Sequence, residues 1–371
     1  MSLFSKIKSG NEKYPALTGI RALGATAVFF DHFPSPSGFH ITINVLAFFF
    51  VLSGFLIIRL YYNNAELTGK SMFKYFTNRF ARIYPVYFLL VSIAILLRHD
   101  FRPLLLLKNY TLTHALINNS KDFVIEPSWS LTVEECFYFL APFIILLIKK
   151  INFISSLAFG FLLLCIALLI SKSGLPILQT PLFVFSNTFF GHFAEFYAGV
   201  YLALVLMKKE KKGDVKLAGH KWTIGGAAGV GFLIIVMGFI YAYPPVAPYR
   251  IIIVNNFLIP VPIAVLYYGL MTENSFISRF LSGRVLGILG RSSYTFYLLH
   301  MIIIQYISLP FLLPYFGTHY IACATLTYLI TYFMSILIFI FYEEPLNLFI
   351  RKKFIPRDKT KQVIVITQQP S

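Results

Sequence analysis

The chain is a succession of apolar runs, each near the length that crosses a lipid bilayer, separated by short segments where lysine and arginine cluster. That alternation restricts the fold more than any motif does. Hydrocarbon offers no partner for backbone N–H and C=O groups, so each run must be a helix of about 20 mostly apolar residues. Such runs stand near 16–33, 41–62, 83–98, 133–149, 152–170, 189–207, 223–243, 250–271, 291–309 and 319–342. The run at 101–117 is interrupted by Arg102, Pro103 and Lys108 and reads as a loop or re-entrant segment. Charged residues make up 13% of the chain, about half their usual share in soluble domains. The expected fold class is all-α, a polytopic membrane helix bundle of about ten transmembrane helices. One domain is expected over 1–354, with a polar, disordered cytoplasmic tail at 355–371.

The net charge of +17 does not make nucleic acid an expected partner, because the basic residues lie between spans rather than on a soluble face. They follow the topology bias of membrane proteins instead. With the N-terminus inside, one side collects Lys6 to Lys13, Arg59 to Arg82, Lys149 and Lys150, Lys208 to Lys221, Arg279 to Arg291, and Arg351 to Lys361. Only Arg98, Arg102, Lys108, Lys121, Lys172 and Arg250 fall on the other side. Both termini are therefore expected in the cytoplasm. Lys6, Lys8 and Lys13 precede an apolar run as in a signal peptide, but no small-residue cleavage site follows, so the run reads as a retained helix. Cys136, Cys165 and Cys323 are isolated within apolar runs and read as buried small residues, neither a disulfide framework nor a metal site. No internal repeat, metal motif or flavin motif is present.

Residues 21–32 read RALGATAVFFDH. Eleven residues at about 100° each come within about 20° of three full turns, so Arg21 and His32 share a helix face roughly 16 Å apart along the axis. Ionisable groups at such depth are costly and usually face a bundle interior or a wet cavity. Alone, Arg21 reads as a residue reaching for the interface and His32 as the outer end of the helix. Together on one face they point to function.

LTGIRALGATAVFFDHF resembles the first-helix signature of the acyltransferase 3 family of membrane acyltransferases: an arginine, ten residues, then a histidine. Four further segments follow in family order. They are FFFVLSGFLI at 48–57, NRFARIYPVYFL at 78–89 with its R-x-x-R pattern at Arg79 and Arg82, PSWSLTVEECFYFLAP at 127–142, and GRSSYTFYLLH at 290–300 with YEEPLNLFIRKK at 342–353. There are departures. INVLA precedes the second-helix block where many members have Gly-Val and an acid, and GHFAEFYAG at 191–199 carries His192 where arginine is common.

The resemblance implies acyl transfer from cytoplasmic acyl-CoA, acetyl-CoA first, to a hydroxyl across the membrane, most often on a polysaccharide or lipid-linked glycan. It implies the bacterial cytoplasmic (inner) membrane, no permanently bound cofactor, and acyl-CoA as co-substrate. Arg21, Arg79 and Arg82 would hold acyl-CoA phosphates with their planar donor forks. His32 would be the general base, since an imidazole exchanges protons near neutral pH. Asp31 points about 100° away on a continuing helix, so a glutamate is the expected orienter of His32. Thr132 and Glu135 fit a capping box, which leaves Glu134, where the family block has its glutamate, to face the cavity. Trp129 is a sugar-stacking platform or an interface anchor. Ser130, Glu195 and His300 are candidate cavity-lining residues. Glu343 and Glu344 are expected to pair with the basic tail at the surface. Some members carry a fused extracytoplasmic esterase-like domain. The residues after the last run are too few to hold one, so the chain is expected to act alone or with a separate partner. A small-molecule acceptor and a glycan or solute transporter are the alternatives, the latter requiring no acyl-CoA.

Overall fold

The computed structural model describes residues 13–34, 45–63, 68–116, 123–173, 175, 178, 180–213, 219–242 and 248–355. Most of the 355–371 tail, and with it the expected disorder there, lies outside the described residues. Among the described residues there is no strand. Helix α1 is Pro15–His32 and α2 is Leu46–Tyr61. Then come α3, Gly69–Arg98, and α4, Trp129–Lys150. Next are α5, Phe153–Ser171, and α6, Phe189–Lys211. They are followed by α7, Lys221–Ala242, and α8, Pro260–Thr272. The last two are α9, Ser293–Ile303, and α10, Tyr320–Ile338. Eight helical segments, from α3 onward with their extensions, are long and apolar enough to span a membrane. α1 holds Arg21, Asp31 and His32, and α2 has only 16 residues; these two complete the set of runs read from the sequence. The interrupted 101–117 run is a short helix, Pro103–Tyr110, and a turn at His114–Leu116.

Local chemistry sets the helix ends. Pro15 starts α1, where its fixed φ suits a first turn and its missing N–H has no helical partner to lose. Phe33 turns extended ahead of Pro34, as a residue before proline prefers. The Thr68 hydroxyl accepts the Ser71 N–H at the start of α3, which begins well before the expected residue 83. Arg79 and Arg82 therefore lie on a helix, not on a loop flanking one. α4 also begins early, directly after a tight turn at Glu126–Ser128. Thr132 is consequently inside the helix and donates to the Leu112 carbonyl at 2.8 Å. The expected Thr132–Glu135 capping box does not exist.

Glycines let the central helices touch. A Cβ on Gly54 of α2 would lie 2.1 Å from the Phe196 carbonyl oxygen, and one on Gly199 of α6 would lie 1.9 Å from that of Val51. Backbones this close are the usual way helices associate where solvent supplies no hydrophobic drive. α5 and α7 lie outermost, exposing Leu162, Leu169, Phe232 and Phe239. Cys165 of α5 is exposed with them and Cys136 is only half-buried, so of the three cysteines Cys323 alone is fully buried.

Candidate active site

Four helices each turn one stripe toward a common interior. Ser130, Glu134 and Tyr138 recur every four residues along α4, which places them on one face. α3 contributes Arg79 and Arg82, α2 contributes Leu46 and Ser53, and α9 contributes Tyr294 and Tyr297. With Arg21 of α1 they line a cavity of about 140 Å³. Thus all three predicted arginines, Ser130 and Glu134 meet in one place. A second cavity of about 190 Å³ is lined by Asp31, His32, Pro127 and Trp129. Leu46 and Tyr297 line both and form the wall between them.

The three arginines are not equivalent. Arg82 pairs with Glu343 at 2.8 Å, and the Thr295 hydroxyl donates to the second Glu343 oxygen at 2.6 Å. Glu343 is 2% exposed, so the expected surface pairing with the tail is not what occurs. The reason is a wide turn at Phe339–Glu343. Such turns shift helix register and re-aim the residues that follow, and this one brings the carboxylate inward. Arg79 lies over the rings of Tyr138 and Tyr61, 5.2 and 5.7 Å from their centres. Neither Arg79 nor Arg21 makes an ion pair among the described residues. Both leave positive charge available to a ligand.

Glu134 accepts hydrogen bonds from the hydroxyls of Ser53 and Tyr138. It therefore belongs to the arginine cavity and not to His32. Among the described residues no glutamate bonds to His32, so the expected glutamate orienter is not found. The Nδ1 of His32 lies 2.9 Å from the Val28 carbonyl and 3.3 Å from Nε2 of His300. A carbonyl only accepts, so His32 Nδ1 carries the proton and, in the neutral ring, Nε2 carries the lone pair that a general base needs. Asp31 and His32, the last two residues of α1, both line this cavity although they are adjacent in sequence.

Trp129 lines the His32 cavity and tilts over the His192 ring at 5.8 Å. Glu195 and His300 line neither cavity. Glu195 is fully buried 3.1 Å from Nδ1 of His192, whose Nε2 donates to the Ser186 carbonyl at 3.0 Å. His192, which stands where the resembled block commonly has arginine, is thus the partner of this acid. His300, 0% exposed, is packed behind His32. The wall residue Tyr297 was not singled out from sequence. Its hydroxyl meets Ser130 Oγ at 2.7 Å and donates to the Pro127 carbonyl at 2.9 Å. Its three-residue spacing from His300 puts both on one side of α9, the only local sign of it. Ser53 and Tyr138 left no local sign. Among the described residues no cluster of His, Cys, Asp or Glu is arranged to hold a metal ion.

The profile of a family described as an acyltransferase domain matches residues 14–342. Two curated relatives are similar along almost the whole chain. O-acetyltransferase OatA of Staphylococcus aureus (strain MRSA252) is 24% identical over 94% of this chain and 60% of its own length. The protein of the same name from strain NCTC 8325 / PS 47 is 25% identical over 95% of this chain and 61% of its own. An uncharacterized protein of Haemophilus influenzae is 27% identical over 42% of this chain and 72% of its own length. The chain thus spans about three-fifths of the Staphylococcus relatives it matches. No solved structure matches it. The profile covers all ten helices up to Tyr342, with the arginine cavity and the His32 cavity inside its bounds, and the chain belongs to this acyltransferase family of multi-pass membrane proteins.

Proposed function

We propose that the chain moves an acyl group, acetyl in the first instance, from acyl-CoA to a hydroxyl of an extracytoplasmic polysaccharide or lipid-linked glycan. The reading rests above all on the two cavities that share the Leu46–Tyr297 wall. One is rich in arginine and the other holds a histidine whose tautomer suits a base. A donor carrying phosphates and an acceptor carrying a hydroxyl need these two different surroundings, with the reacting atoms meeting between them.

Acyl-CoA approaches from the cytoplasmic side, its thin thioester arm in the arginine cavity. At about 140 Å³ that cavity is well below the roughly 300–1,000 Å³ of a drug-sized site, so the nucleotide stays at the mouth. Arg21 and Arg79 meet the donor's negative charge, while Arg82 is already balanced by Glu343. The acceptor sugar lies in the second cavity against Trp129, whose ring is a stacking surface. Nε2 of His32 takes the hydroxyl proton as the oxygen attacks the thioester carbonyl carbon. The O–C bond forms, the C–S bond breaks, and the proton passes from His32 to the thiolate to release CoA as the thiol. Glu134 fixes Ser53 and Tyr138 around the arm and takes no proton. A small-molecule acceptor would use the same donor side; the S. aureus relatives are named O-acetyltransferases, which favours a hydroxyl acceptor.

The test uses membrane vesicles from the producing cell, lacking the chain or complemented with it, given [14C]acetyl-CoA on the cytoplasmic face. Alkali-labile label in the envelope fraction is expected only with the chain present. It is expected to fall about a hundredfold or more with His32→Ala, the usual worth of a general base. Label that does not depend on the chain would overturn the reading in favour of a small-molecule acceptor or of transport.

A further inference from the structure

We infer that His300 is a positioning residue for His32, doing with a neutral ring what a carboxylate does for the histidine of a catalytic triad. The inference rests on the acyl-transfer reading above and deepens it.

Hydrogen-bond bookkeeping fixes both rings. His300 Nδ1 lies 2.6 Å from the Tyr297 carbonyl. A carbonyl has no proton to give, so His300 Nδ1 carries one and Nε2 presents its lone pair. That lone pair faces His32 Nδ1 at 3.3 Å. His32 Nδ1–H is therefore shared between two acceptors, the Val28 carbonyl at 2.9 Å and His300 Nε2. The two rings are 5.2 Å apart and tilted by 47°, and the Phe296 ring lies 6.3 Å from that of His300 and within 10° of parallel to it. His300 is 0% exposed. The arrangement holds His32 in one tautomer with Nε2 aimed at the acceptor cavity. It also sets the order of charges. When His32 takes the acceptor's proton, both acceptors on Nδ1–H bind the cation more strongly than the neutral ring. A proton on His300 would instead set N–H against N–H, so His300 must stay neutral while His32 is charged. A carboxylate would raise the basicity of His32 by its full charge; the neutral ring orients without that, so the proton is easily passed on to the thiolate. Among the described residues, the ionisable groups that face His32 are Asp31 on its own helix and Tyr297 and His300 on α9; Val45 and Leu46, at the start of α2, add apolar lining.

The experiment compares wild type, His32→Ala, His300→Phe and His300→Gln in the [14C]acetyl-CoA vesicle assay, measuring the maximal rate per unit protein and the acetyl-CoA concentration giving half of it. Thermal midpoints in detergent report the fold. His300→Phe keeps the ring packed on Phe296 but removes the acceptor. It is expected to lower the maximal rate about tenfold, less than the hundredfold or more that loss of the general base itself costs, with the half-saturating acetyl-CoA concentration and the midpoint unchanged. His300→Gln, which restores an acceptor oxygen, is expected to recover much of that loss. Wild-type rates in His300→Phe, with His32→Ala inactive, would overturn the positioning role while leaving the transfer reading intact. Equal loss in His300→Phe and His300→Gln at unchanged midpoints would overturn it as well. Full activity of His32→Ala would overturn both readings together.

Discussion

At the scale of single residues, one interior charge is balanced by a partner far away in the chain while its neighbours are left for a ligand. Arg82 and Glu343 are 261 positions apart and meet at 2.8 Å. Glu343→Gln keeps the shape but leaves Arg82, about a third exposed, without its counter-charge, and a cost of about 1–3 kcal/mol is expected. Double substitution with Arg82→Gln is expected to cost less than Glu343→Gln alone, because an unmet buried charge is worse than an absent pair. Thermal midpoints of the single and double variants in detergent check this; additive losses would mean that the two side chains do not interact. The residue scale is also where sequence reading reached least far. Arg21 was legible because an arginine within an apolar run is costly and so conspicuous, and Arg79 and Arg82 only through the R-x-x-R pattern of the family resemblance. The orienter of His32 was not legible, since a second histidine inside an apolar run carries no sign of which helix it will face. Nor was the burial of Glu343, which depends on one wide turn directly after α10.

At the scale of elements, function depends on how near the helices stand. α2 carries Ser53 to Glu134 and Leu46 to the wall, and it is held there by its contact with α6 through Gly54 and Gly199. Gly199→Ala places a methyl against the backbone of Val51 and Phe55 and must push α2 away. Overpacking of this kind costs about 1–3 kcal/mol. Gly231→Ala on α7, where a Cβ meets nothing within 4 Å, is expected to be nearly neutral. A lower midpoint and reduced acyl transfer in the first, with neither change in the second, is the expected pattern. Equal effects would remove the close approach as the reason for glycine at 199. The element boundaries were partly readable. α1 shows its start in Pro15 and its stop ahead of Pro34, whereas the early start of α4 follows from the Glu126–Ser128 turn and from Thr132 bonding to Leu112. No pattern within the run announces either contact.

At the scale of the whole molecule, the basic clusters predict an orientation. If the side collecting Lys149, Lys209 and Arg279 is cytoplasmic, single cysteines introduced next to these positions on a background lacking Cys136, Cys165 and Cys323 will react with a membrane-impermeant maleimide only in inverted vesicles. Cysteines at Asp100 or Lys172 will react in intact spheroplasts. The reverse labelling would invert the donor and acceptor sides proposed for the two cavities.

The sequence alone determined that this chain is a helical membrane bundle and which of its spans carry ionisable groups. Both follow from a local cause: hydrocarbon forces every backbone bond to close within its own run, and it penalises each charge wherever that charge sits. Only the tertiary structure decided which of those groups meet. His32 faces His300 across 268 positions, Glu134 faces Ser53 and Tyr138, and Tyr297 with Leu46 divides the interior into two cavities. Those partnerships are set by the distance and rotation of packed helices. They are fixed by small-residue contacts and wide turns between distant segments, and no stretch of the chain encodes them by itself.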